Sequence, residues 1–229
     1  MKLATLGALA LSLICAATPA WAIRLDADDI FIEINDTDGD AGIQVFLDGE
    51  GWDTMSVIDP AGRLVLGIAA DHNVGQQGVT ELFLESAEPS FEEQPLDEFL
   101  ALFPPGIYRF RGQTTEGVSL RGHARLTHAL PDAPEILSPA EESTVDADNT
   151  VIEWERVDNP PGSSIVAYEV VVETEDPRLR VFKVDMGRNA TSVTVPTDFM
   201  RPGGEYKVEV IAIERSGNRT ITEVEFETE

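Results

Sequence analysis

Two stretches about a hundred residues apart share one pattern, in which a Pro-Gly turn is followed by a tyrosine and then by an alternating strand. The first stretch is Phe103–Arg111 and the second is Met200–Val210. A tyrosine at that corner of a Greek-key β-sandwich hydrogen-bonds to the chain just upstream and fixes the start of the strand. The repeated pattern therefore predicts two tandem β-sandwiches, with Tyr108 and Tyr206 at their corners.

The first 22 residues are typical of an export signal. Lys2 is followed by the apolar run Leu3–Ala17 and then by Ala20-Trp21-Ala22, which is an A-x-A cleavage site. The run is shorter than the roughly 20 apolar residues that a membrane-spanning helix needs, and no later segment is long and apolar enough. We therefore expect cleavage after Ala22, no transmembrane segment in the remaining chain, and a periplasmic or secreted location.

Acidic residues dominate the composition, with 42 Asp and Glu against 16 Lys and Arg. Loss of Lys2 with the signal leaves 15 basic residues and a net charge of −27. Such a chain repels nucleic acid and anionic membranes, so neither is expected as a partner. The only cysteine, Cys15, lies in the signal, so burial alone must stabilise the two sandwiches, which domains of this size allow.

From the signal to residue 131, apolar and polar residues alternate as they do in half-buried strands. The type I turn signature Asp59-Pro60-Ala61-Gly62 predicts a hairpin from Thr54 to Ile68. Apolar residues on one helical face predict a short helix over Leu96–Phe103, whereas Asn73–Gly78 is expected to be a loop. We assign residues 23–131 to a first, acidic domain and residues 132–229 to a second, joined by a short, stiff, proline-rich segment.

The second domain contains an entry proline, Pro134, then Trp154 and Tyr168 in alternating strands, and the corner run Pro202–Ala212. On these residues it resembles the fibronectin type III family, mostly binding or spacing modules whose fold alone implies no activity. The resemblance implies that Trp154 and Tyr168 lie in the core. The first domain shares only the Pro-Gly-x-Tyr end and is immunoglobulin-like by analogy. The predicted fold class is all-β: two tandem immunoglobulin-like or fibronectin type III-like sandwiches, with one short helix in the first.

The loop Asn35–Gly42 is a candidate calcium site. Asp36, Asp38 and Asp40 stand at alternate positions with interleaved glycine, a spacing with which hard oxygen ligands can surround the ion. The EF-hand pattern matches only in part, because Ala41 and Leu47 occupy its glycine and glutamate positions. The alternative is a polar hairpin turn, since Asp, Asn and Gly favour turns for backbone reasons alone.

The hairpin that closes the first domain is a candidate binding surface. If Tyr108 and Phe110 point inward, the basic residues around them share the opposite face of the sheet. These predicted binding residues are Arg109, Arg111, Arg121, His123 and Arg125. They would suit an anionic ligand or an acidic protein surface, on the second domain or on another copy of the chain. The alternative is ordinary cross-strand pairing with neighbouring carboxylates.

Catalytic motifs are absent from the sequence. The three histidines are scattered, and there is no nucleophile elbow, zinc-binding His-Glu-x-x-His or phosphate loop. We therefore predict an exported, non-catalytic binding or adhesion protein that acts through protein or glycan contacts, with calcium as a candidate stabilising ion. The alternative is a structural spacer or assembly subunit, with self-association left open, and an enzyme comes third.

Overall fold

The computed structural model describes residues 21–175 and 177–229, so all but the last two residues of the predicted signal lie outside it. The strands before residue 131 are β1 (Ile23–Arg24), β2 (Ala27–Asn35), β3 (Asp40–Ile58), β4 (Leu64–Ala69), β5 (Val79–Glu85), β6 (Gly106–Thr114) and β7 (Ser119–Leu126). The strands after it are β8 (Ile136–Ser138), β9 (Ser143–Val145), β10 (Val151–Trp154), β11 (Ile165–Thr174), β12 (Arg180–Gly187), β13 (Ser192–Thr194), β14 (Glu205–Glu214) and β15 (Arg219–Thr228).

Helices are short in the described chain. They are α1 (His72–Gln77), α2 (Leu96–Leu102) and a single 3-10 turn (Ala147–Asn149). The predicted helix is present as α2, which begins after Pro95 and buries Phe99 against the first core. The predicted loop Asn73–Gly78 is instead mostly the one-turn α1, which ends at Gly78 with a φ of 85°. None of the helices among the described residues is long and apolar enough to cross a membrane.

A single bent strand organises the first sandwich. The first half of β3 pairs with β2 and β5, and the second half pairs with β4 and β6. Pairing shifts register around Trp52, where the strand passes from one sheet to the other. The apolar alternation of the sequence predicts two separate strands here, Ile43–Leu47 and Thr54–Ile58, whereas the structure has the single strand β3. The predicted hairpin of β3 with β4 is present, and the Asp59 carboxylate closes its turn by accepting from Arg63.

The second sandwich packs the sheet β12-β11-β14-β15, which β9 extends by pairing with β15, against the three-stranded sheet β13-β10-β8. Trp154 and Tyr168 are 1% and 0% exposed and pack against each other with ring centroids 5.5 Å apart. Both corner tyrosines behave as predicted. The Tyr108 hydroxyl donates to the Pro104 carbonyl at 3.1 Å, and the Tyr206 hydroxyl accepts from the Arg201 amide at 2.8 Å. The predicted fold class is confirmed.

The two sandwiches are joined through their sheets. Strands β2 and β15 pair in parallel over Glu33–Asn35 and Arg219–Ile221, so one hydrogen-bonded sheet continues across the junction. The Arg219 guanidinium lies 4.1 Å from the centre of the Phe31 ring, a distance at which cation–π attraction operates. We call this contact the junction.

Asn218 lies at the centre of the junction and is completely buried. Its Oδ1 accepts from the Ile32 amide of the first sandwich at 2.9 Å. Its Nδ2 donates to the carbonyls of Thr127 and Ala129, at 3.0 and 3.3 Å, in the segment that leaves β7. One amide side chain therefore ties together both sandwiches and the segment that connects them.

Candidate functional site

Five arginines and one histidine project from one outer face of the first sandwich. We call this set the arginine face: Arg24, Arg109, Arg111, Arg121, His123 and Arg125. Strands β1, β7 and β6 place these residues side by side, with Arg111 opposite Arg121 and Arg121 beside Arg24. Neighbouring strands lie about 4.8 Å apart, so the side chains of Arg24, Arg121 and Arg111 form a row across the sheet.

The alternation of large core residues and glycines aims these side chains outward. Tyr108 and Phe110 are fully buried beneath the sheet, so Arg109 and Arg111 face solvent. Gly112 lies close against the Thr54 carbonyl, where an added side chain would collide with the backbone of β3. The inward positions are thus reserved for packing, and the basic residues occupy outward ones.

Charge on the arginine face is uncompensated. All six side chains are exposed, and none of the five arginines forms an ion pair with a described carboxylate. The outward positions that β3 contributes, Thr54, Ser56 and Ile58, carry no charge. Like charges directly opposite each other destabilise a sheet, so the Arg111–Arg121 pair is unfavourable without an anion. The cross-strand pairing with carboxylates considered above is not what these residues do.

A cleft between the two sandwiches borders the arginine face. Its volume is about 720 Å³, and it is lined by Asp28, Asp29, Ile30, His123, Ala124, Arg125, Thr127, His128, Ala129, Pro161, Gly162, Ser163, Arg215 and Ser216. His123 and Arg125 belong to both surfaces, so a ligand that spans the face can continue into the cleft. Arg215 on the far wall adds a sixth arginine from the second sandwich.

The two acidic residues of the cleft, Asp28 and Asp29, have different surroundings. The Asp28 carboxylate accepts from the His123 backbone amide at 2.5 Å and thereby supports β7 from beneath. Burial is the main cause that raises the pKa of Asp29, followed by the charge of Asp28, while Arg219 opposes the rise. Charge in the cleft is therefore mixed, and its basic side is the one continuous with the arginine face.

The predicted calcium loop is a turn that docks on the second sandwich. Asn35 Oδ1 accepts from the amides of Thr37 and Asp38, the geometry of an Asx turn. Thr37 Oγ1 accepts from the amide of Glu223 in β15 at 2.8 Å. Asp36 and Asp38 are exposed, whereas one carboxylate oxygen of Asp40 is buried without a hydrogen-bond partner. Calcium binding by Asp36, Asp38 and Asp40 stays a prediction.

A second acidic group lies next to this loop. Among the described residues, Glu33, Glu85 and Glu88 are the one set of three whose ligand oxygens approach within 4.8 Å of one another. Gln44 donates from Nε2 to both Glu33 and Glu85 and holds them in place. Burial first, then neighbouring carboxylates, raises the pKa of Glu88 to about 7. Burial also raises the pKa of Glu33 to about 6.

Replacing Glu88 with Gln is expected to weaken the pH dependence of stability. Its folded pKa of about 7 exceeds its ordinary value of 4.5, so its stabilising contribution is present below pH 4.5 and is lost as the pH rises through 7. At pH 8 the variant removes the cost of burying a charged carboxylate and, after it, the repulsion from Glu85, Asp40, Glu33 and Asp38. Because solvent screens this partly exposed group, we expect a gain of about 1 kcal/mol, or roughly 2–4 °C in Tm.

Thermal melts from pH 5 to 8 check this expectation, with Glu92→Gln as the control because Glu92 is an exposed glutamate nearby. The difference in Tm between the Glu88 variant and the parent chain should grow as the pH rises. A constant difference across the range would contradict it.

The sequence analysis did not predict Arg24 as part of the arginine face, and it did not predict the group of three glutamates. Arg24 joins the arginine face through β1, a strand of two residues that is too short to show any alternation. The Glu33, Glu85 and Glu88 group is assembled from β2, β5 and the chain after β5, which lie more than 50 residues apart at their extremes. The five predicted basic residues, in contrast, lie together on one exposed face.

No family model and no curated protein matches the chain. Among solved structures it is similar to the FN1–FN3 domains of chicken CNTN1, at 10% identity over 90% of this chain with a TM-score of 0.39. It is also similar to a tetra-tandem repeat in the extending region of a large adhesion protein, at 12% identity over 89% of this chain with a TM-score of 0.29. The chain spans 64% and 50% of the lengths of these two structures.

Proposed function

We propose that this chain is an exported, non-catalytic binding protein that docks anionic partners, acidic protein or glycan, on its arginine face. The observation that carries the proposal is the concentration of charge. Five of the six arginines between Ile23 and Pro131 lie on this face, that segment contains no lysine, and the sixth arginine, Arg63, is paired with Asp59. The predicted export signal supports a periplasmic or secreted site of action.

Physical chemistry favours this function over a purely structural role for the arginines. Arginine side chains bind carboxylates and sulfates in bidentate geometry and are enriched at the centres of interfaces. A positive patch on a chain of net charge −27 also selects the orientation of approach, because an anionic partner is repelled from every other side. The face therefore sets both the partner class and the docking direction.

The double variant Arg109→Glu plus Arg121→Glu should bind an anionic polymer at least about tenfold more weakly near 0.1 M salt. Both residues are exposed and make no ion pair with a described residue, so the fold should be retained. Fluorescence anisotropy with labelled poly-glutamate measures the loss on the chain from Ile23 to Glu229. A sulfated glycan titrated in parallel distinguishes a glycan partner from an acidic protein.

The matched control is Arg156→Glu plus Arg188→Glu, which makes the same change of net charge at exposed positions of the second sandwich. The control should bind the polymer nearly as well as the parent chain. Equal losses in both double variants would mean that only total charge matters, and the arginine face would then not be a site.

A spacer or assembly role is the second candidate, and the junction favours it. Paired strands and the buried Asn218 connect the two sandwiches, and tandem domains that are only tethered lack such contacts. A rigid pair of sandwiches can hold two surfaces at a fixed separation.

A further inference from the structure

We propose that the partner of the arginine face is a second copy of this chain, which presents an acidic groove on its second sandwich. The proposal rests on the function proposed above and specifies its partner. The groove has a volume of about 800 Å³, and its lining includes Glu142, Glu173, Glu175, Glu205, Glu225 and Glu227. Six glutamates therefore face the opening, as six basic residues face outward on the arginine face.

The strand registers build the groove from outward positions of the sheet. Glu205 lies opposite Glu227, and Lys207 lies between Glu173 and Glu225 on the neighbouring strands. The Lys207 ammonium is already engaged, at 2.7 Å from Glu209. Within the described chain, none of the six groove glutamates forms an ion pair. The groove thus mirrors the arginine face, because its glutamates form no ion pair with a described residue and Glu205 lies directly opposite Glu227.

Geometry excludes contact between the two surfaces of a single molecule. The junction holds β15 at Arg219–Ile221, whereas Glu227 lies near the far end of that strand. At about 3.3 Å per residue, Glu227 lies roughly 20 Å along β15 from Ile221, the nearest junction residue on that strand. A groove at the far end of one sandwich cannot reach a sheet face of the other while the junction is closed, so only another molecule can bring the two surfaces together.

The symmetry of such a contact determines which assembly forms. The arginine face and the groove are different surfaces, so their contact is heterologous, and repetition adds copies head to tail. Salt at physiological strength screens exposed charges beyond about 8 Å, so the net repulsion between two chains of charge −27 is weak at a distance, while opposite charges in contact still attract. We expect weak association, with a Kd on the order of 0.1–1 mM.

Sedimentation equilibrium at about 1 mM protein and about 0.15 M salt tests the inference with two variants. The face variant is Arg109→Glu plus Arg121→Glu, and the groove variant is Glu205→Gln plus Glu227→Gln, which removes charge without creating a basic groove that the reversed face could bind. The parent chain should show an average mass that rises with concentration, and each variant alone should be monomeric. An equimolar mixture should form dimers and nothing larger, because one intact face then meets one intact groove.

The control pair Arg156→Glu plus Arg188→Glu should associate like the parent chain. A parent chain that stays monomeric at about 1 mM, or a mixture that stays monomeric, overturns the inference. If that monomer still binds poly-glutamate and loses binding in the face variant, the proposed binding function stands while the self-partner falls. If poly-glutamate binding is also insensitive to the face variant, both fall. Thermal melts of the variants verify that each one is folded.

Discussion

Replacing Asn218 with Ala is expected to cost about 3 kcal/mol of stability and to lower the Tm by roughly 10 °C. The side chain is fully buried, and its loss leaves the Ile32 amide and two carbonyls, of Thr127 and Ala129, without these partners. An unsatisfied buried polar group costs about 1–3 kcal/mol. Because the lost bonds join the sandwiches, they should also unfold in separate steps, which calorimetry resolves.

Two further substitutions sharpen this prediction. Asn218→Asp keeps an acceptor for the Ile32 amide but replaces the donor with an oxygen that faces carbonyls, so its Tm should fall at least as far. Asn189→Ala, at an exposed position, should change the Tm by no more than about 2 °C. A single transition with an unchanged midpoint in Asn218→Ala would contradict the role of this side chain in coupling the sandwiches.

Replacing Glu214 with Ala should cost about as much, roughly 3 kcal/mol, although the hydrogen bonds described for its carboxylate come from residues of the second sandwich. Its carboxylate is 1% exposed and accepts from the hydroxyls of Ser163 and Ser216. It also accepts from the backbone amides of Ser216 and Asn218, at 2.9 and 3.3 Å. These bonds shape the turn between β14 and β15 that carries Asn218 to the junction.

A double-mutant cycle separates the two roles of Glu214. If its carboxylate positions Asn218, the losses of Glu214→Ala and Asn218→Ala should overlap, and the double variant should lose less than their sum by at least about 0.5 kcal/mol. Chemical denaturation monitored by tryptophan fluorescence measures all four chains. Glu153→Ala, at an exposed position of β10, is the control. Strict additivity would mean that the turn and the junction are stabilised independently.

The local architecture could be predicted from the sequence, because turns, short helices and strand faces depend on short-range patterns. The two Pro-Gly-x-Tyr stretches located both corner tyrosines, and alternation around Tyr108 and Phe110 assigned five basic residues to one outer face. The Asp59 turn and helix α2 follow from residues adjacent in the chain. Each of these features is decided within about ten residues, where turn chemistry and periodicity act directly.

The junction and the groove could not be predicted in that way, because they depend on contacts between distant segments. Asn218 belongs to a Ser-Gly-Asn turn, which by itself indicates only a hairpin. Its partner Ile32 lies 186 residues away. Alternating glutamates such as those of β15 are by themselves typical of a solvated strand face, and only the pairing of β15 with β14 brings Glu227 opposite Glu205. Both the junction and the groove depend on the register between paired strands. The pattern of a single strand does not specify that register.

The most direct test of the arginine face is an NMR titration of the chain from Ile23 to Glu229 with poly-glutamate, observed through the arginine side-chain Nε–Hε signals. We predict that the signals of Arg109, Arg111 and Arg121 shift together and saturate, while those of Arg156 and Arg188 stay in place. Shifts that favour Arg156 and Arg188, or no arginine shifts while the polymer binds, would contradict the account and remove the face as the binding site.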